Sequence, residues 1–110
     1  SERQNKVSRL LHKEMGDILQ KDLKNFAPGH LITVTIVRIT ADLGLAKFYF
    51  SIYPSGDAQK ILDTLKDNEK KIRLILGNRI RHQLKSIPEI QFYIDDSLDY
   101  IENIDNLLKK

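Results

Sequence analysis

Two apolar runs of period two, set almost back to back, constrain this chain more than any other feature. From Leu31 to Thr40 the residues are largely β-branched, with Ile32, Val34 and Ile36 alternating with threonines. Ala46, Phe48, Phe50 and Ile52 then alternate with Lys47, Tyr49, Ser51 and Tyr53. Side chains along a strand point to opposite faces in turn, so each run predicts a strand with one apolar face. Asp42-Leu43-Gly44 between them is a turn signal, and so short a gap favours an antiparallel hairpin. After Pro88, Ile90, Phe92 and Ile94 alternate with Gln91 and Tyr93 and predict a third strand.

A sheet with one apolar face needs a cover. Val7, Leu10, Leu11, Met15, Ile18, Leu19 and Leu23 recur at spacings of three, four and seven, which predicts an amphipathic helix from about Arg3 to Lys24. Gly16 within it is unfavourable for a helix and marks a candidate close backbone approach. Pro28-Gly29 ends that segment. Ser55 or Asp57 can cap a helix bearing Ile61, Leu62 and Leu65, and Asp67-Asn68 is a break, since Asn caps helices and tolerates left-handed geometry. A further helix carries Ile72, Ile75, Leu76, Ile80 and Leu84, and Pro88 stops it. Asp96 or Ser97 can cap a last helix with Ile101, Ile104, Leu107 and Leu108. The predicted order is α-β-β-α-α-β-α: an α+β two-layer domain with a three-stranded sheet covered on one face by helices. At 110 residues there is room for a single domain, spanning 1–110, with a core that needs no disulfide or metal staple.

The chemistry available to such a chain is narrow. It has no cysteine, which removes disulfides, thiolate metal sites and thiol nucleophiles and fits a reducing compartment. No apolar run approaches the roughly 20 residues of a membrane span, and the first residues are polar rather than signal-like. Ser1 without a methionine before it points to processing or to a cloning boundary. His12, His30 and His82 sit in separate elements with no acid at ligand spacing, and they read as surface histidines. The five glycines are scattered singly, so no phosphate loop exists, and no serine stands in a nucleophile-elbow context. Asp95-Asp96 reads as a helix cap and Asp42 as a turn residue. Neither catalysis nor a metal or other cofactor is expected.

Binding is what the charge pattern offers. From Lys70 to Lys85 there are six basic residues (Lys70, Lys71, Arg73, Arg79, Arg81, Lys85) with His82 and no acid, and the first helix adds Arg3, Lys6, Arg9 and Lys13. From Asp95 onward acids dominate, with only Lys109 and Lys110 opposing them. Segregated charge points to a polyanion on one face. Phosphate contact by Lys and Arg needs no particular spacing, so the signal is generic; the candidates for contact with RNA are Lys70, Lys71, Arg73, Arg81 and Lys85, helped by Arg3, Lys6 and Arg9. Helices one and three, packed on one sheet face, can present both stripes on one surface. Arg79 falls between Ile75 and Leu76 and is expected to pair with an acid or extend past the core; Arg73 borders the apolar face and can be structural. Phe48, Phe50 and Phe92 read as core, leaving Tyr49, Tyr53 and Tyr93 as sheet-surface residues and candidate stacking groups. A competing reading is a protein adaptor that uses the acidic last helix or the exposed sheet edge.

The predicted order matches a type II KH-like fold, and four stretches resemble the ribosome-binding factor A family. They are the opening helix from Val7 to Leu19 with Glu14; Thr40-Ala41-Asp42-Leu43-Gly44-Leu45-Ala46-Lys47-Phe48-Tyr49; Ile72-Arg73-Leu74-Ile75-Leu76-Gly77; and Pro88 through Leu98. The resemblance covers nearly the whole chain, in order. It implies a non-enzymatic bacterial cytoplasmic factor that binds the free small (30S) subunit near the decoding region. It also implies assistance to late maturation of 16S rRNA, importance in the cold, and release in which assembly GTPases take part. A monomer is the simplest expectation. Two departures stand out. Asn68-Glu69-Lys70 occupies the place of the family's alanine-any-glycine kink. The stretch from Gly77 to Pro88 is about two residues longer than usual, with Gln83 in place of an arginine, which predicts a longer third helix.

Overall fold

The computed structural model describes residues 1–95. The helix expected beyond Asp96 lies outside the described residues. Helix α1 spans Glu2–Lys21 and starts on a capping box, with the Gln4 amide donating to Ser1 Oγ and the Gln4 side chain accepting from the Ser1 backbone. Gln4 Nε2 also donates to the Ile39 carbonyl at 3.1 Å, which ties the start of α1 to the sheet. Val7, Leu11, Met15, Ile18 and Leu19 form the buried stripe. The helix ends three residues before the expected Lys24, and Leu23 is buried in the turn that follows.

Strands β1 (Leu31–Ile39) and β2 (Leu45–Tyr53) form the antiparallel hairpin. Its turn is built by side chains: Asp42 Oδ1 accepts from the Gly44 amide at 2.9 Å and from Thr40 Oγ1 at 2.7 Å, and Leu43 takes a positive φ of 60°. Strand β3 (Glu89–Ile94) adds to β2 in parallel, giving the order β1-β2-β3 with β2 central. The crossover between them holds a 3-10 turn at Ser55–Asp57, α2 (Ala58–Asp67) and α3 (Glu69–Ile80). Neither Ser55 nor Asp57 caps α2 with a side-chain bond.

Helix burial and strand alternation agree on one core. Ala46, Phe48, Phe50 and Ile52 of β2 and Ile90 and Phe92 of β3 face Leu11, Met15, Ile18, Leu62, Leu65, Ile72, Leu76 and Ile80, and no polar side chain among the described residues is buried with them. Phe92 meets the edges of Phe48 and Phe50 at 6.2 and 5.4 Å between ring centroids, the T-shaped geometry that aromatic quadrupoles favour.

Three expectations change here. Ile36 was expected in the alternation with Ile32 and Val34, but it is 40% exposed. The register slips between Val34 and Ile36: Val34 pairs with Phe50 and Ile36 with Tyr49, so Thr35 is an extra residue in a β-bulge. Beyond it, Val37 and Ile39 take the core side and Ile36 the open side. Asn68 separates α2 from α3 as expected, but with φ −104° and ψ 16° it is not left-handed, and its side chain makes no N-cap bond. Instead, Nδ2 donates to the Thr64 carbonyl at 2.8 Å and closes the end of α2. Finally, α3 stops at Ile80 rather than running on through Leu84. The Gln83 and Leu84 amides both converge on the Ile80 carbonyl, and the chain turns back.

Candidate nucleic-acid interface

The early end of α3 makes the site. Because the chain reverses after Ile80, residues 81–88 run back alongside the helix, and Arg73 fastens them. Its Nε donates to the Pro88 carbonyl at 2.9 Å and its Nη2 to the Ile87 carbonyl at 2.8 Å, while Glu89 lies 3.7 Å away. One turn later Gly77 admits Ile87: a Cβ there would sit 3.4 Å from Ile87 Cγ1. Arg73 and Gly77 are four residues apart, hence on one helix face, and together they seat the returning segment.

Between α3 and that segment lies a groove of about 860 Å³, lined by Lys70, Arg73, Leu74, Arg81, Ile87 and Glu89 among others. Lys70 is exposed on the first turn of α3, and Arg81, also exposed, is the residue that follows its last turn. Leu74, 65% exposed, lies between them and gives the groove an apolar floor with Ile87. Glu69 and Glu89 also line it, so the lining carries three cations and two acids. With Arg73 engaged by two carbonyls and Glu89, the path open to phosphates follows Lys70 and Arg81. The Asn68 break immediately precedes Glu69, the first residue of α3 and part of the groove lining.

The other expected contacts are dispersed. Lys71 is exposed but outside the groove lining, as is Lys85, which lies beyond the helix because α3 ends early. Arg3, Lys6 and Arg9 are exposed on α1, with Lys6 4.0 Å from Glu2. The α1 and α3 stripes do not merge along the seam between these helices. Arg79 bridges that seam, 3.0 Å from Glu14, 3.6 Å from Asp17 and 3.7 Å from Asp22, so acids stand there. The pairing of Arg79 with acid agrees with its place on the helical wheel. Of the α1 cations, Arg9 and Lys13 turn instead toward the free edge of β1, where with His12 they line a groove of about 310 Å³ with Ser8, Thr35, Ile36 and Val37.

Sequence reasoning passed over Leu74. Its signal is a leucine out of phase with Ile72, Leu76 and Ile80 in the middle of a basic run, and an apolar side chain on the wet face of a helix is worth noticing. His30 also departs from expectation. Its side chain is only 19% exposed and stands 3.8 Å from Asp57, while His12 and His82 are on the surface. The hydrogen bonds from Thr40 and the Gly44 amide hold the Asp42 carboxyl below its ordinary pKa, in keeping with a turn residue. Among the described residues, no group of three or more His, Cys, Asp or Glu is placed to hold a metal ion.

The family model described as ribosome-binding factor A matches residues 3–108. The chain belongs to the ribosome-binding factor A family. It is similar to the family member from Christiangramia forsetii, with 42% identity over 108 residues, covering 97% of this chain and 82% of the relative. Its fold is that of the crystal structure of ribosome-binding factor A from Thermus thermophilus, with a TM-score of 0.68 at 18% identity over 83% of this chain and 94% of that one. It also resembles the Thermus thermophilus ribosome-binding factor A coordinates fitted into a cryo-electron-microscopy map of a 30S complex. There the TM-score is 0.59 at 22% identity, covering 86% and 92%. The shared order α-β-β-α-α-β places the groove beside α3 and the start of β3.

Proposed function

We propose that this protein is a non-enzymatic, cytoplasmic factor that binds the free small ribosomal subunit and assists late maturation of 16S rRNA, above all at low temperature. Residues 1–110 act as a single KH-like RNA-binding domain, and the protein works as a monomer whose release involves assembly GTPases. Membership of the family carries this reading, and the Thermus relative fitted into a 30S map supports the choice of particle. The groove along α3 supplies the contact. Lys70 and Arg81 bind phosphate oxygens along its rim, and Leu74 and Ile87 meet the apolar side of a ribose or base. Arg73 acts one step back, holding the far wall in place. Lys71, Lys85, Arg3, Lys6 and Arg9 add field and steering from outside the groove. The protein holds immature RNA in one arrangement until the subunit is competent.

Co-sedimentation with separated small subunits, large subunits and assembled ribosomes at two salt concentrations tests this. Selective recovery with free small subunits, weakened by salt, is the expected result. Equal recovery with every particle would reduce the protein to a generic cation. Binding that survives salt and follows a protein partner would favour an adaptor.

A further inference from the structure

The bulge at Thr35 does more than adjust the hairpin. By moving Ile36 out of the core it lines up Ile36, Tyr49 and Tyr93 across the three strands on the face that the helices leave open. Ile36 and Tyr93 are 40% and 37% exposed. The two tyrosine rings stack at 5.3 Å between centroids, 25° from parallel, and Arg38 lies over Tyr49 with Cζ 5.9 Å from the ring centroid. Lys47 pairs with Arg38 on one side and Gln91 on the other, so the next row holds two cations and an amide. Ile36 also lines the groove that holds Arg9, His12 and Lys13. It therefore joins an aromatic shelf to a cationic edge, and no acid lines that groove. Asp95, one residue past the end of β3 and two from Tyr93, is the acid nearest the shelf, and it accepts from Thr35 Oγ1. Glu89, at the other end, is drawn to Arg73.

We propose that this open face is a second RNA contact that takes an unpaired strand. Phosphates bind Arg9 and Lys13 across the β1 edge, and a base stacks on the Ile36–Tyr49–Tyr93 shelf beside Arg38. The inference rests on the reading of the protein as an RNA-binding factor and deepens it by naming the form of RNA. Unpaired RNA follows from the geometry: duplex bases hide their ring faces in the stack, and a tyrosine face can meet only a splayed base. RNA rather than protein follows from the company the shelf keeps: Arg9, Lys13, Arg38 and Lys47 border it, the nearby Asp95 is bonded to Thr35, and the Thr33–Ser51 row separates it from the exposed Leu31–Tyr53 pair.

The test uses the full chain and an eight-nucleotide RNA carrying 2-aminopurine, whose fluorescence falls when the base stacks. Wild type is expected to quench the unpaired oligonucleotide, and the same oligonucleotide annealed to its complement is not quenched further. Tyr93→Leu weakens binding roughly 5- to 100-fold, the loss of one base–aromatic stack, while Tyr93→Phe keeps it. Arg9→Gln with Lys13→Gln lowers affinity and its salt dependence together. Circular dichroism confirms that each variant folds. No quenching by wild type, or equal affinity for Tyr93→Leu and wild type, overturns the proposal, as does a Tyr93→Leu defect seen only with small-subunit proteins freed of RNA. Co-sedimentation with small subunits is judged separately, so quenching without subunit binding would overturn the particle assignment and leave the shelf.

Discussion

Gly16 shows how a single residue can be read in two ways until its neighbours are known. A glycine inside a helix costs up to about 1 kcal/mol relative to alanine unless something needs the space. Here a Cβ would lie 4.0 Å from Val34 Cγ1, an ordinary contact. Gly16→Ala is therefore expected to stabilise the protein by up to about 1 kcal/mol in urea denaturation; a loss of stability would mean that α1 must approach β1 more closely. Arg73 is the opposite case, a basic residue in a basic run whose guanidinium is occupied by the protein's own carbonyls. Arg73→Lys loses the fork that reaches Ile87 and Pro88 together, and about 1–3 kcal/mol of stability is expected to go with it. Asp42 adds a pH dependence. Its folded-state carboxyl titrates below the unfolded value. Its contribution is therefore fully present above the unfolded pKa and is lost as pH falls through the folded one. Asp42→Asn should flatten the acid limb of a stability–pH curve below about pH 4 and leave its neutral shape unchanged.

At the scale of elements, the bulge in β1 and the end of α3 decide where the surface chemistry lies. Deleting Thr35 would remove the extra residue and restore strict alternation, with Val34, Val37 and Ile39 on the core side and Ile36 still on the open side. That deletion is therefore expected to keep a cooperative native-like melt, as is Thr35→Ala, which keeps the bulge. Loss of cooperative unfolding in the deletion would show that the bulge itself is needed, beyond the register it sets. The end of α3 has a different origin. Nothing local in Arg81-His82-Gln83-Leu84 forbids a helix; the tertiary ties from Arg73 to Ile87 and Pro88, and the seat that Gly77 gives Ile87, pull the chain back. Helix propensity is weak beside such packing.

At the scale of the molecule, charge is distributed over two surfaces, not one. Along the α1–α3 seam the Arg79 cluster places acids, so Lys70 and Arg81 face the α3 groove while Arg9 and Lys13 of α1 face the β1 edge. Lys70→Gln with Arg81→Gln is expected to weaken binding to free small subunits and to lower the slope of log K against log salt by about 2, roughly one for each phosphate no longer neutralised. An unchanged slope would place those side chains off the RNA. Much of this protein was determined by its sequence alone. Periods of 2 and 3.6, Pro88, and the Asp42 turn suffice for the element order through β3, the aromatic core and the hairpin, because a strand or an amphipathic helix shows its buried face in a single window. The pairing of Arg79 with acid was also visible, from its place among apolar neighbours. What tertiary structure decided is the phase of β1 after Thr35, the length of α3, the double role of Arg73, and which cations share a surface. Each depends on contacts between residues far apart in the chain: a bulge is defined only against its partner strand, and a guanidinium is free or spent only once its neighbours have folded around it.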